Sequence, residues 1–140
     1  MQKSGSTSGV PRHSTENNTP ITLTIGNSVI PAILYNRTTA KDLISKLPCK
    51  VRLSRGPVDY CGNIGIRLNY SRAEAQDGFY NGELAYWIPG EDFVIFIDKE
   101  EDSLSVSQNC VMLGKLVKDS DLEIIRKMKS SIEVLIQLAK

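Results

Sequence analysis

The chain has 140 residues, of which 41% are hydrophobic and 24% are charged, and its formal net charge at pH 7 is +1. This length and composition are typical of one ordinary globular domain that can bury a core, and they argue against a second domain. A net charge near zero gives no sign of a basic face for phosphate groups, so we expect no nucleic-acid partner.

The cysteines and the hydrophobic pattern bear on redox state and compartment. Cys49, Cys61 and Cys110 are odd in number and lack a C-x-x-C pair or a second histidine, so we expect reduced thiols and no metal site. No apolar run approaches the roughly 20 residues of a membrane helix, and the N-terminus lacks the apolar core of a signal peptide. These features predict a cytoplasmic protein with no membrane partner, unless an export signal has been removed.

Residues 1–19 contain no large apolar side chain after Met1 except Val10. Such a segment buries too little surface to offset the entropy lost when its backbone is ordered, so it is predicted to be a disordered polar tail. His13, the only histidine, lies in this tail, where the fixed geometry of acid-base catalysis is not expected. The folded domain is therefore predicted over residues 20–140.

The first elements are predicted to be a hairpin and a helix. Ile21, Leu23 and Ile25 alternate with polar residues, which is typical of a strand with one buried face. A turn at residues 26–27 and a return strand over residues 28–35 follow, and Pro31 favours an edge position or a bulge. Residues 36–47 then take the helical period, with Thr38 or Thr39 as the cap and Pro48 as the stop.

The middle of the chain combines strands with turns. Residues 49–53 alternate as a strand, and the Gly- and Pro-rich segment over residues 55–76 predicts a short hairpin followed by a loop, its second arm being Ile64, Ile66 and Leu68. The stretch NGELAYWIPGEDFVIFID, residues 81–98, predicts a buried hairpin, because an alternating run and a nearly continuous apolar run flank the turn Pro89-Gly90-Glu91-Asp92.

The C-terminal part completes a mainly β architecture. CVMLGKLV, residues 110–117, predicts a buried strand, and Ser120-Asp121-Leu122-Glu123 predicts a capping box for a short helix that ends near Lys129. Alternation from Ile132 to Leu138 predicts a last strand. About seven or eight strands with two short helices favour a closed or nearly closed β-barrel whose ends the helices cover.

Two segments resemble small cyclophilin-like proteins of bacteria and archaea. They are GELAYWIPGEDFVIFI, residues 82–97, and VMLGKLV, residues 111–117; in that family a G-[DE]-x-x-Y-W-x-P-G segment and a later G-K-[IL] strand recur. The order of elements is similar over most of residues 20–140. The resemblance implies a cyclophilin-like barrel of about eight strands, in a family whose biochemical role is largely unassigned.

The resemblance also implies a comparison with the cyclophilins that isomerise prolyl peptide bonds. In those enzymes an arginine donates to the prolyl nitrogen, which weakens the amide resonance, and an apolar pocket grips the ring. Arg67, within GIRLN, has a similar place in the order of elements. The F-H-R motif, the Q-x-G-D-F-T segment and any histidine after residue 13 are absent.

Three functions are compatible with these residues. The leading hypothesis is a peptide or small-ligand binding module without classical catalytic residues, and the alternatives are a weak peptidyl-prolyl isomerase that uses Arg67 and a structural or self-associating protein. A contiguous exposed apolar patch would indicate the last of these. The chain has no G-x-S-x-G, Walker, G-x-G-x-x-G or H-E-x-x-H motif, so we expect no cofactor.

Candidate ligand-binding residues lie near the middle loops, each with a simpler interpretation as an ordinary surface or core residue. Tyr86 and Trp87 are neighbours in a predicted strand and so point to opposite faces, which places one of them in the core. The candidates are Arg67, Tyr70, Tyr80, Tyr86 and Trp87.

Overall fold

The computed structural model describes residues 17–76, 78–100 and 109–139. Most of the predicted tail, including His13, lies outside these ranges, and Thr19 already belongs to the first strand. The elements are β1 (Thr19–Ile25), β2 (Ser28–Leu34), α1 (Thr38–Ile44), β3 (Cys49–Arg55), β4 (Asp59–Asn63), β5 (Ala75–Gln76), β6 (Glu83–Trp87), β7 (Asp92–Phe96), β8 (Cys110–Leu116), α2 (Asp121–Arg126) and β9 (Ser131–Leu138).

Eight of these strands form a closed antiparallel barrel. Their order is β2-β1-β9-β3-β4-β7-β6-β8, and β8 pairs back with β2, where Leu34 lies opposite Gly114. The two-residue strand β5 pairs with the other end of β8. Pro31 lies just beyond the β2–β8 ladder, so its missing N–H costs the barrel no bond between these two strands. The predicted mainly β barrel of about eight strands is confirmed.

The two short helices lie at opposite ends of the barrel, because β2 and β8, the strands that precede them, are antiparallel. α1 is shorter than predicted and its N-cap is Arg37, with no side-chain capping bond, so the predicted threonine cap is wrong. Ser120 is the N-cap of α2, but its side chain also makes no capping bond. No helix in the described part of the chain is long and apolar enough to cross a membrane.

The predicted second arm of the hairpin after β4 is not a strand. Instead, β4 pairs with β3 and β7, and the segment after it runs as a loop. Ile64 and Leu68 are buried in the barrel interior, and the backbone N–H of Leu68 donates to the Tyr86 hydroxyl at 3.3 Å. The apolar residues that suggested a strand therefore fill the interior from a loop.

The barrel wall is apolar on both faces where β4, β7, β6 and β8 lie side by side. Phe93, Ile95 and Ile97 belong to the interior cluster, whereas Val94 and Phe96 belong to a second, outer cluster. Burial on both faces explains why the sequence from Phe93 to Ile97 is continuously apolar. The buried members of this outer cluster are Tyr35, Phe79, Ala85, Val94, Phe96 and Met112.

Candidate functional site

A cavity of about 400 Å³ lies on the outer face of the barrel, and we call it the outer cavity. Its walls come from residues of four strands and from the segments before β4 and β6. Most of them are apolar, and two carboxylates and two thiols complete the lining. The lining residues are Val58, Asp59, Cys61, Gly78, Phe79, Trp87, Asp92, Val94, Phe96 and Cys110.

The strand register brings the lining together. Asp59 lies opposite Phe96 and Cys61 opposite Val94 in the β4–β7 pair, and side chains two residues apart in a strand share a face. On the outer face of the barrel, the Phe79 ring stacks on the Phe96 ring, with ring centroids 4.0 Å apart and planes 10° from parallel. This stacked pair forms one side of the outer cavity.

Trp87 forms one edge of the outer cavity and is 40% exposed. Its indole ring lies over the turn that joins β6 to β7, where a Cβ atom on Gly90 would come within 2.8 Å of the ring carbon Cζ3. Glycine at this position therefore leaves space for the indole. The glycine of the Y-W-x-P-G segment therefore allows the tryptophan of the same segment to pack over the turn.

The carboxylates of Asp59 and Asp92 are both held in a poorly solvated environment. Burial raises the pKa of Asp59, and the negative charge of Asp92 raises it further. Burial also raises the pKa of Asp92. Both effects disfavour the charged forms, so ionisation of these two groups costs the fold free energy.

The thiols act as apolar lining. Burial, with the nearby charges of Asp59 and Asp92, raises the pKa of Cys61 to about 11, and burial with the charge of Asp59 raises the pKa of Cys110 to about 12. Both are protonated at neutral pH and are therefore poor nucleophiles. The described residues contain no group of three or more His, Cys, Asp or Glu side chains that could hold a metal ion.

The structure places the candidate residues from the sequence in different parts of the fold. Trp87 lines the outer cavity, as described above. Arg67 and Tyr70 lie in the loop after β4, and the Arg67 side chain is 82% exposed, with its Nε 2.8 Å from the Glu91 carboxylate. Tyr86 faces the interior, as expected for one member of the Tyr86-Trp87 pair.

The remaining candidate, Tyr80, is half-buried beside Glu83, whose carboxylate accepts its backbone N–H at 2.9 Å. The guanidinium of Arg72 lies 5.7 Å from the centre of the Tyr70 ring. Neither Tyr80 nor Tyr70 is among the lining residues of the outer cavity.

Sequence reasoning missed most of the cavity lining. Asp59 and Cys61 flank the buried Tyr60, and this alternation is a signal for an outward-facing pair. The continuous run from Phe93 to Ile97 is a second signal, because it requires a cover on the outer face. Phe79 supplies part of that cover from a separate segment, and no local pattern predicts its partner.

Comparison with known proteins supports the fold. A hypothetical protein from Archaeoglobus fulgidus, known from a solution structure, is 17% identical with a TM-score of 0.63, and the match covers 90% of this chain and 100% of that one. McbB, solved in complex with tryptophan, is 15% identical with a TM-score of 0.55, and the match covers 84% of this chain and 44% of McbB. At these identities the similarity shows the fold alone.

No curated protein matches the chain. Residues 23–137 match the Cyclophilin-like family, which is most of the sequence and includes every strand of the barrel at least in part. The closed barrel and the family match agree with each other. The chain belongs to the cyclophilin-like family.

Proposed function

We propose that this protein is a binding module whose outer cavity takes a small ligand with an apolar body or a single side chain of a peptide. The observation that carries the proposal is the outer cavity itself, which is concave, mostly apolar and bounded by aromatic rings. Its volume of about 400 Å³ falls in the range of small-molecule sites. The ligand would be held by burial of apolar surface against Phe79, Phe96 and Trp87.

The chemistry of the lining favours binding over catalysis. Cys61 and Cys110 are protonated at neutral pH, so neither thiol is poised as a nucleophile. Arg67, the residue on which the isomerase hypothesis depends, is not among the lining residues and is paired with Glu91. The outer cavity therefore does not include the arginine that the isomerase hypothesis requires.

Self-association remains a separate hypothesis. It requires a contiguous exposed apolar patch. The large apolar side chains that the described part of the chain exposes belong to six different elements or loops. They are Val29, Tyr70, Trp87, Val117, Ile124 and Leu138.

The proposal can be tested through Trp87, because it is the only tryptophan and it borders the outer cavity. We expect its fluorescence to change and saturate when 2-phenylethanol is added; McbB, solved with tryptophan, is one reason to begin with aromatic probes. Cys61→Phe, which fills the outer cavity, should abolish the response. Val29→Phe adds the same ring at an exposed position on β2 and should leave the response intact.

Saturable binding that survives Cys61→Phe would contradict the proposal, as would the absence of any response in the wild type. Circular dichroism of both variants is the control that they fold as the wild type does.

A further inference from the structure

The charges in the outer cavity define its ligand more narrowly, and this inference rests on the proposed function above. We infer that the ligand is a small organic cation, an amine with an aromatic or aliphatic body, whose ammonium group binds at the carboxylate of Asp59 or of Asp92. The cavity fixes where the ligand lies, and the two carboxylates select its charge.

These two carboxylates line the outer cavity and lack a basic partner in the described part of the chain. Asp98, Asp119 and Asp121 also have no ion pair there, but they are not among the lining residues of the outer cavity. Among the described residues, no ion pair and no side-chain hydrogen bond involves Asp59 or Asp92. Five other carboxylates in the same part of the chain each have a lysine or arginine within 4.0 Å. They are Asp42 with Lys46, Glu74 with Arg37, Glu91 with Arg67, Glu123 with Arg126 and Glu133 with Arg52.

An unpaired carboxylate that loses water is costly, and an opposite charge recovers that cost. Asp59 and Asp92 both line the cavity, but Asp59 lies opposite Phe96 and Asp92 opposite Asn63 in the β4–β7 pair, so the two carboxylates occupy separate positions in it. An ammonium group at either position would donate hydrogen bonds to that carboxylate. A carboxylate ligand would be repelled by both aspartates, so the outer cavity discriminates by charge.

The apolar walls select the rest of the ligand. The stacked rings of Phe79 and Phe96 and the indole of Trp87 offer faces for an aromatic or aliphatic body. Aromatic faces also attract cations, which adds to the preference for an amine. A hydrated metal ion or a sugar would leave these apolar walls uncovered.

Three probes of one shape separate the charge preference from binding itself. They are 2-phenylethylamine, 2-phenylethanol and 3-phenylpropionate, compared by isothermal titration calorimetry at pH 7 and physiological salt. We expect the amine to bind roughly tenfold tighter than the alcohol or better, which is the scale of one charge-assisted hydrogen bond. The anion should bind more weakly than the alcohol.

Asparagine variants identify the groups responsible. Asp59→Asn and Asp92→Asn should each reduce the advantage of the amine over the alcohol several-fold, and the double variant should abolish it while the alcohol still binds. Asp98→Asn is the matched control, because it removes the same charge at an exposed position that is not among the lining residues.

The outcomes separate the two proposals. If the alcohol and the amine bind equally, or if the amine keeps its advantage in the double variant, the inference about charge is overturned and the binding module stands. If none of the probes binds the wild type, the proposed function fails and the inference fails with it.

Discussion

At the scale of single residues, the two carboxylates of the outer cavity set a conflict between binding and stability. Asp59 is desolvated by the fold, and the neighbouring charge of Asp92 opposes its ionisation. A site that keeps unpaired charges for a ligand has to tolerate this cost while it is empty. The cost should be visible in the pH dependence of stability.

Asp59→Asn should therefore stabilise the free protein at neutral pH. Because the pKa of Asp59 is raised above its ordinary value of 3.8, the folded state binds more protons than the unfolded state between that value and the raised pKa. The wild type thus loses stability as the pH rises through this window. The variant escapes that loss, so its advantage in urea unfolding should be present at pH 7 and should vanish below pH 3.8.

An advantage of the same size at both pH values would contradict this explanation, and so would a less stable variant at pH 7. Asp98→Asn, at an exposed position, should show no comparable pH-dependent gain.

Arg67 gives a second prediction at the residue scale. Its ion pair with Glu91 is exposed, and exposed pairs contribute about 0–1 kcal/mol, so Arg67→Ala should leave the fold nearly unchanged. In an isomerisation assay on an X-Pro peptide we expect no acceleration by the wild type or the variant. Acceleration by the wild type that Arg67→Ala abolishes would move the functional site to the loop after β4 and overturn our assignment.

At the scale of elements, the seam between β2 and β8 closes the barrel and depends on one glycine. A Cβ atom on Gly114 would overlap the carbonyl oxygen of Ile33 and come within 2.9 Å of the Leu34 Cα. Both of these atoms belong to backbone, which cannot move aside without breaking the ladder. This contact gives a physical reason for glycine in the segment VMLGKLV.

Gly114→Ala should therefore destabilise the protein by about 3 kcal/mol, at the upper end of the usual cost of overpacking. Gly26→Ala is a suitable comparison, because Gly26 has a φ of +60° but open space around its Cβ position. Its cost should be only about 1–2 kcal/mol, from backbone conformation alone. A ranking in the opposite order by urea unfolding would contradict the role given to the seam.

The turn between β6 and β7 supports a further prediction. In Gly90→Ala the added methyl group displaces the indole of Trp87, since the two would approach within 2.8 Å. We expect a shift in the tryptophan emission maximum and weaker binding of 2-phenylethanol, with the barrel still folded by circular dichroism. An unchanged emission maximum would show that the turn does not position the indole.

Alternation of apolar and polar residues predicted three strands correctly and one strand incorrectly. Alternation in β1, β2 and β9 predicted strands that the barrel confirms, because one buried face imposes a period of two. The run Ile64, Ile66 and Leu68 has the same period but lies in a loop, since Ile64 and Leu68 enter the interior without strand pairing. A short alternating run cannot distinguish these two arrangements.

The outer cavity was harder to predict for a different reason. Its lining depends on register between β4 and β7 and on the contact of Phe79 with Phe96, which joins residues 17 positions apart in sequence. Of the residues proposed from the sequence, Trp87 alone lines this cavity. Exposed aromatic residues are an incomplete guide to a site whose polar groups are single aspartates on separate strands.

At the scale of the whole molecule, the barrel separates a filled interior from an outer face that carries a cavity. The interior is packed with side chains from all eight barrel strands and from both helices, which leaves a small barrel little room for a ligand. The outer face of β4, β7, β6 and β8 carries a second apolar cluster and the outer cavity. Ligand binding there would not require the barrel to open.

The most direct test of this account is an NMR titration of ¹⁵N-labelled protein with 2-phenylethylamine, with 2-phenylethanol run in parallel. We predict that both probes shift the amides of Asp59, Cys61, Phe79 and Val94 and the indole N–H of Trp87, and that the amine does so at lower concentration. Shifts centred on Arg67 and Tyr70, or no shifts at millimolar probe, would contradict the assignment of the outer cavity as the binding site.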